Sequence, residues 1–248
     1  MKENIPNPFD AQKNIREIIK KEKNWDDRQF NEHICSFSVD QAKKSMKGII
    51  GDDKKIIQSY NALEDMNKTL AVMFERLEEW YSLYNPQNKE NGERLAKTLS
   101  DFEDEALRNY AEMIINFAGQ KESLEKHVRS EIKRILPNTS SILEPLLTAR
   151  MLSMATSIEK LARMTSSNIQ LLGAEKALFR HLKSKKKDRS PKFGLIYMSS
   201  YIQNAKKDKQ GKVARILSSH IMKTVRIDYY SGRREDIKKE LNEALKKV

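Results

Sequence analysis

Ile56, Leu63, Leu70, Leu77 and Tyr84 fall seven residues apart, with Met66, Met73 and Trp80 at the interleaved positions and Ser59 the one polar exception. Four heptads of this kind predict a long helix with an apolar seam along one side. Asn85-Pro86 stops that helix, because proline lacks the amide the next turn needs. Asn91-Gly92 makes a turn, and a second long helix is predicted from Glu93 to Leu136, carrying Leu99, Phe102, Ala106, Met113, Phe117, Leu124, Val128 and Ile135 near one face. A short turn between two long helices favours an antiparallel hairpin. The same seam is also suited to joining two chains.

Proline at 137 ends the second helix, and shorter helices are predicted over Ser141–Met154, Ile158–Met164, Ser167–Leu172 and Ala174–Ser184. Ser140, Ser157 and Ser166 stand at the expected N-caps, and Pro145 fits only a first turn. Two closing helices, Lys207–Tyr229 and Arg234–Lys247, are separated by Ser231-Gly232. Upstream, residues 1–51 are weakly patterned, with a short helix over Ala11–Lys21 and a small helical cap burying Phe30, Ile34 and Phe37. With 33% charged and 7% aromatic residues, 8 Gly and 6 Pro, solvated helices are favoured over sheet. The expected fold is all-α: a reduced segment 1–51, a coiled-coil hairpin 52–136 and a compact helical domain 137–248.

Charge narrows the partner. From Gly173 to Val248 there are 21 Lys and Arg against 8 Asp and Glu, a balance of +13, while the rest of the chain stands at −1. Such a concentrated excess points to a polyanion, nucleic acid before membrane surface. No apolar run approaches the ~18 residues of a membrane span. Cys35 stands alone, so no internal disulfide forms and a reducing, cytoplasmic setting is expected.

Catalysis is not expected. His33, His127, His181 and His220 lie far apart and none pairs with Cys35 at metal-ligand spacing. No GxxxxGK[ST] or GxSxG pattern occurs, and the Ser130–Lys133 match to SxxK sits on a charged helix where chance suffices. Glu78-Glu79 and Glu103-Glu105 read as solvated faces. No cofactor or metal is implied.

Four strings carry a family likeness: EEWYSLYNP (78–86), ILEPLLTARMLSMATSIEKLARMTSSNIQLLGAEKALFRHLK (142–183), SPKFGLIYMSSYI (190–202) and GKVARILSSHIMKTVRID (211–228). Together they resemble the Nop-domain family, whose branches include the archaeal scaffold of box C/D methylation-guide particles, its nucleolar counterparts and a spliceosomal scaffold. The archaeal branch looks nearest. The resemblance implies a hairpin carrying a C-terminal Nop domain, and a non-catalytic scaffold that recognises a kink-turn RNA jointly with a ribosomal-type kink-turn-binding protein. It also implies self-association, or pairing with a related scaffold, through the hairpin. In a eukaryote it implies a nuclear or nucleolar setting.

Positions matching family contacts to RNA or partner are Arg163, Ser166, Lys192, Arg215 and Arg226. Ser167 and Asn168 complete the helix N-terminus at Ser166, Lys212 stands beside Arg215, and Arg180 and Lys183 are peripheral candidates. Shape and phosphate dominate recognition of RNA duplexes, which suits scattered Lys and Arg on rigid helices. At Lys192 the spliceosomal relative carries a histidine that meets the RNA stem; lysine holds phosphate as a point charge and does not stack. Each position has a structural alternative: Arg163 as a C-terminal cap, Ser166 as an N-cap, Arg215 and Arg226 as a solvated face. Lys185-Lys186-Lys187 reads as a basic loop able to meet phosphate. In GAEKALFR, Gly173 permits a close turn, Leu178 and Phe179 are expected to bury, and Glu175 and Lys176 to tie neighbouring helices. The chain departs from the family at its start: FNEHICSFSVDQAKKSMKGIIGDDKKIIQ (30–58) resembles only the tail of the domain that docks fibrillarin, which makes methyltransferase recruitment doubtful. The competing reading is a coiled-coil adaptor that has lost RNA binding.

Overall fold

A computed structural model describes residues 8–49, 51–183 and 190–247. The lysines at 185–187 lie outside those residues. The described residues are helical and contain no strand. Chain compactness divides the protein once, between Gly51 and Asp52.

The first unit holds two helices, α1 (Pro8–Lys23) and α2 (Asp27–Ile49). Asp27 in the first turn of α2 accepts from Arg16 at 2.9 Å and from Lys20 at 2.7 Å, which holds its carboxyl below the usual range. The Arg16 guanidinium also lies over the Phe30 ring, 5.0 Å from its centroid, and Phe30 is buried. Ile34 and Phe37, expected to bury with it, are exposed. They follow Phe30 at i+4 and i+7 on the same face of α2, and burial is confined to Phe30, under the Arg16 guanidinium.

In the second unit, α3 (Asp52–Tyr81) pairs with α5 (Glu105–Ile135). Asp52 meets Arg134 at 2.9 Å and Tyr84 meets Asp104, so residue number falls along α5 as it rises along α3: the pair is antiparallel. Ile56, Leu63, Leu70 and Leu77 are buried along the seam as their heptad requires, whereas Tyr84 lies past the end of α3 and is half exposed.

The second arm is not the single predicted helix. A short α4 (Gly92–Thr98) leads into a 3₁₀ turn, Leu99–Asp101, and an extended Phe102 before α5 begins. Asp104 restarts the helix by accepting from the Leu107 amide at 2.9 Å. The break shifts the helical phase. Leu107, Ala111 and Ile114 become the buried seam, and Ala106 and Met113 turn outward. Leu95, Leu99, Leu107 and Ile114 then close a distal core with Leu70 and Leu77, into which Phe102 edges against Tyr81.

Toward the base, the hairpin feeds the main core. Ile56, Leu63, Val128 and Ile132 share one cluster with Leu147, Leu161, Ile169, Ile196, Leu217 and Leu241. This core gathers α6 (Pro137–Ile142), α7 (Pro145–Ala155), α8 (Ile158–Arg163), α9 (Ser166–Leu171), α11 (Ser200–Gln203) and α13 (Ile237–Lys246) around α12 (Gln210–Arg226), while α10 (Glu175–Lys183) buries no residue. The helix predicted over Ser141–Met154 is thus two, divided at the extended Leu143. Ser140 lies inside α6 rather than capping a helix, and Thr165, not Ser166, caps α9. Ser157 caps α8 as read, accepting from the Lys160 amide at 3.1 Å.

Candidate nucleic-acid interface

Three separate chain segments converge on one open cleft of about 470 Å³. α9 contributes Ser167, Gln170 and Leu171; the segment before the next 3₁₀ turn contributes Ser190, Pro191 and Lys192; the start of α12 contributes Gly211, Lys212 and Arg215, with Asp208 just ahead of it.

Backbone hydrogen bonds clamp the middle segment to α9. Gly194 N–H donates to the Gln170 carbonyl at 2.8 Å, Leu195 N–H donates to Leu172 at 2.7 Å, and the Gln170 side-chain amide donates to the Lys192 carbonyl at 2.6 Å. Glycine is obligatory at 194: a Cβ there would sit 2.2 Å from the Leu172 carbonyl oxygen. Across the cleft the Lys192 stem runs past Gly211, where an added Cβ would lie 4.0 Å from Lys192 Cδ. Phe193 stacks on Tyr197 at 4.8 Å and 6°, which fixes the segment from its other side.

The electrostatics are one-sided. Lys192, Lys212 and Arg215 are exposed, and among the described residues none lies within ion-pair distance of a carboxylate. Asp208 is the single acidic group of the lining, leaving an excess of positive charge. Unpaired cations on fixed backbone, open to solvent, suit phosphate groups.

The remaining sequence candidates go elsewhere. Ser166 and Asn168 are on α9, where the Thr165 hydroxyl accepts from the Asn168 amide at 3.3 Å. α9 is only six residues long, so its dipole adds little and the cations dominate. Arg163 pairs with Glu159 at 2.6 Å on the surface of α8. Its alternative role as a cap on carbonyls is filled by Arg226, whose Nε donates to Ala162 at 3.1 Å and whose second nitrogen reaches Met164 at 3.5 Å. Arg215 and Arg226 do share a face of α12, but eleven residues separate them by about 16 Å along the axis. Arg226 borders a different cleft with His220, Lys223 and Glu240, where the Lys223 ammonium holds the Glu240 carboxyl below its ordinary value.

Arg180 and Lys183 are exposed on α10 and do not line the basic cleft. No α10 residue is buried: Leu178 is half-buried and Phe179, expected inside, is exposed. Glu175 closes its own turn by accepting from Gly173 N–H at 2.7 Å rather than joining helices. Gly173 is the architectural element, at φ +86° with Met154 Cε 3.1 Å from where a Cβ would stand. Gln170 and Gly211 were not among the sequence candidates. Their signals are the i, i+3 spacing of Gln170 from Ser167 and a glycine directly before Lys212.

Among the described residues, no group of three or more His, Cys, Asp and Glu side chains is placed to hold a metal ion, and no helix is long and apolar enough to cross a membrane.

The fold and cleft define an all-α hairpin protein with an exposed, positively charged cleft. More particularly, the chain belongs to the Nop family, described as "snoRNA binding domain, fibrillarin", which matches residues 88–248. An uncharacterized NOP5 family protein of Methanocaldococcus jannaschii is 31% identical over 81% of this chain and 58% of its own length. Nucleolar protein 58 of Debaryomyces hansenii is 29% identical over 82% of this chain and 45% of its own. The chain thus spans about half the length of these relatives. A solved fibrillarin/Nop5p complex contains a chain matching all of this one and 88% of itself, with a TM-score of 0.61 at 20% identity, a likeness of fold. The expectation of doubtful fibrillarin recruitment is not borne out: the description of the matching family names fibrillarin.

Proposed function

We infer that this chain is a non-catalytic RNA-binding scaffold of a box C/D-type ribonucleoprotein. The observation that carries the reading is the convergence of Lys192, Lys212 and Arg215, all unpaired, on one rigid cleft. The cleft receives the phosphates of a kink-turn stem, and a kink-turn-binding protein supplies the rest of a composite surface, because three cations alone give weak, salt-sensitive binding. The hairpin leaves Val72, Leu83 and Met113 exposed, which favours contact with a second copy or a related scaffold. α2 exposes Ile34, Phe37 and Met46 to a fibrillarin-type partner. The setting is cytoplasmic, or nucleolar if the source is eukaryotic.

The test is titration of a kink-turn RNA at fixed salt, with and without the kink-turn protein. Affinity rises sharply with that protein on this reading. Replacing Lys192, Lys212 and Arg215 together by Ala flattens the plot of log affinity against log salt by roughly two to three units. No RNA binding in either arm overturns the reading and leaves a coiled-coil adaptor.

A further inference from the structure

At the end of α12 the helix widens into one π turn, Ile227–Ser231, closed by Gly232 N–H donating to the Ile227 carbonyl at 2.8 Å. Such turns re-aim side chains and recur at functional sites. Here the turn sends Asp228 inward and two consecutive aromatic rings outward. The Asp228 carboxylate accepts four hydrogen bonds from Asn138 and Thr139. Tyr229 and Tyr230 are 42% and 65% exposed, with ring centroids 4.8 Å apart at 74°.

The chain then presents Arg233 and Arg234. Both are exposed, and neither side chain has an ion-pair or hydrogen-bond partner among the described residues. Their backbone is nevertheless fixed: the Asn138 side-chain amide donates to the Arg233 carbonyl at 2.6 Å, and Glu235 N–H donates to Asn138 Oδ1 at 2.8 Å. The neighbouring carboxylates of Glu235 and Asp236 do not come within ion-pair distance of either guanidinium. Glu235 borders the cleft of His220 and Arg226, and Asp236 lies with Lys238 and Lys239.

We propose that Tyr229, Tyr230, Arg233 and Arg234 form a second RNA-binding surface, for unpaired nucleotides, distinct from the Lys192–Arg215 cleft. Two outward rings on a pinned turn offer stacking faces that any base can use. Two unpaired guanidiniums within one turn of chain supply phosphate contacts and can stack on bases themselves. A protein partner must bring two carboxylates as well as a ring contact, whereas each nucleotide carries a base and a phosphate together. The surface lacks the width and the density of cations that a duplex stem requires.

The experiment is titration of the full chain with a labelled oligouridylate of about 12 nucleotides, a length that covers a single-strand site. The double variant Tyr229→Ala/Tyr230→Ala weakens binding by roughly 25-fold, about fivefold per ring, while Tyr229→Phe/Tyr230→Phe keeps it. Arg233→Gln/Arg234→Gln lowers the salt slope by about 1.4 units. Lys192→Ala/Arg215→Ala weakens kink-turn RNA more than oligouridylate and Tyr229→Ala/Tyr230→Ala does the reverse, so failure of the stem-binding reading and failure of this one are separable. Photocrosslinking of wild-type protein to the oligomer, mapped by mass spectrometry, gives a readout free of any folding defect and places the link at residues 229–230. No oligouridylate binding by the wild type, equal binding by the tyrosine variants, or crosslinks confined to the Lys192 cleft each overturn the proposal. Unchanged RNA binding together with loss of a protein partner in the tyrosine variants would make the surface a protein dock instead.

Discussion

Asp228 and Thr139, 89 residues apart in sequence, meet through two hydrogen bonds: the Thr139 amide reaches Oδ2 at 3.0 Å and its hydroxyl at 2.8 Å. With two more bonds from Asn138, Asp228 caps the N-terminus of α6 from across the core. α6 has no local cap, since its N-cap position is Leu136. The contact therefore joins the helix that follows the hairpin to the turn that carries the tyrosines.

Asp228→Ala is expected to lower unfolding stability by about 3 kcal/mol, because buried donors on Asn138 and Thr139 lose their acceptor. Asp228→Asn, which keeps one acceptor oxygen, falls between. Urea unfolding followed by circular dichroism measures both, and equal stability of Asp228→Ala and wild type would remove the capping account.

Arg226 and Arg215 are expected to separate cleanly. Arg226→Ala frees the Ala162 and Met164 carbonyls, costs about 1 kcal/mol of stability, and leaves the salt dependence of RNA binding unchanged. Arg215→Ala does the reverse, leaving stability within about 0.5 kcal/mol and flattening the salt slope by about 0.7–0.9 units. Thermal melts and RNA titrations at several salt concentrations test the pair together.

Gly194→Ala forces a Cβ against the Leu172 carbonyl, so the segment bearing Lys192 must leave α9. The expected cost is about 1–3 kcal/mol from overpacking, with RNA affinity falling as far as in Lys192→Ala. A variant that melts lower yet binds RNA as wild type would show that the position of Lys192 does not matter.

Acid should loosen the hairpin ends first. Arg134 and Lys55 hold the Asp52 carboxyl low, Arg134 does the same for Glu131, and the Tyr84 hydroxyl and the Leu107 amide do so for Asp104. A depressed carboxylate stabilises the fold above its ordinary value, and that contribution is lost as pH falls through the folded value. Melting temperature should therefore drop below about pH 4, and high salt should shrink the drop because these groups are exposed. Asp52→Asn removes part of the acid dependence, and amide exchange across 52–60 and 128–136 locates it.

Sequence by itself determined the helices and the sign of the partner. Heptad spacing fixed Ile56, Leu63, Leu70 and Leu77 as a seam, since a 3.5-residue apolar repeat has one buried solution. Pro137 marked the end of the second arm and Pro145 a first turn, though not the division of Ser141–Met154 into two helices, and the run of Lys and Arg after Gly173 set the charge. Gly173 was legible because a tight turn leaves few choices of residue. Tertiary structure decided what periodicity does not encode. The break at Phe102 re-phased the second arm because Asp104 found both Leu107 and Tyr84. Arg226 became a cap and Arg215 a cleft residue, though a helical wheel puts them on one face, because what lies beside each end of α12 differs. Phe179 stayed outside since local hydrophobicity states a preference while burial needs a facing surface. The cleft itself comes from three segments held by Gln170, Lys192 and Gly194. Contacts between residues far apart in the chain have no local spacing to betray them.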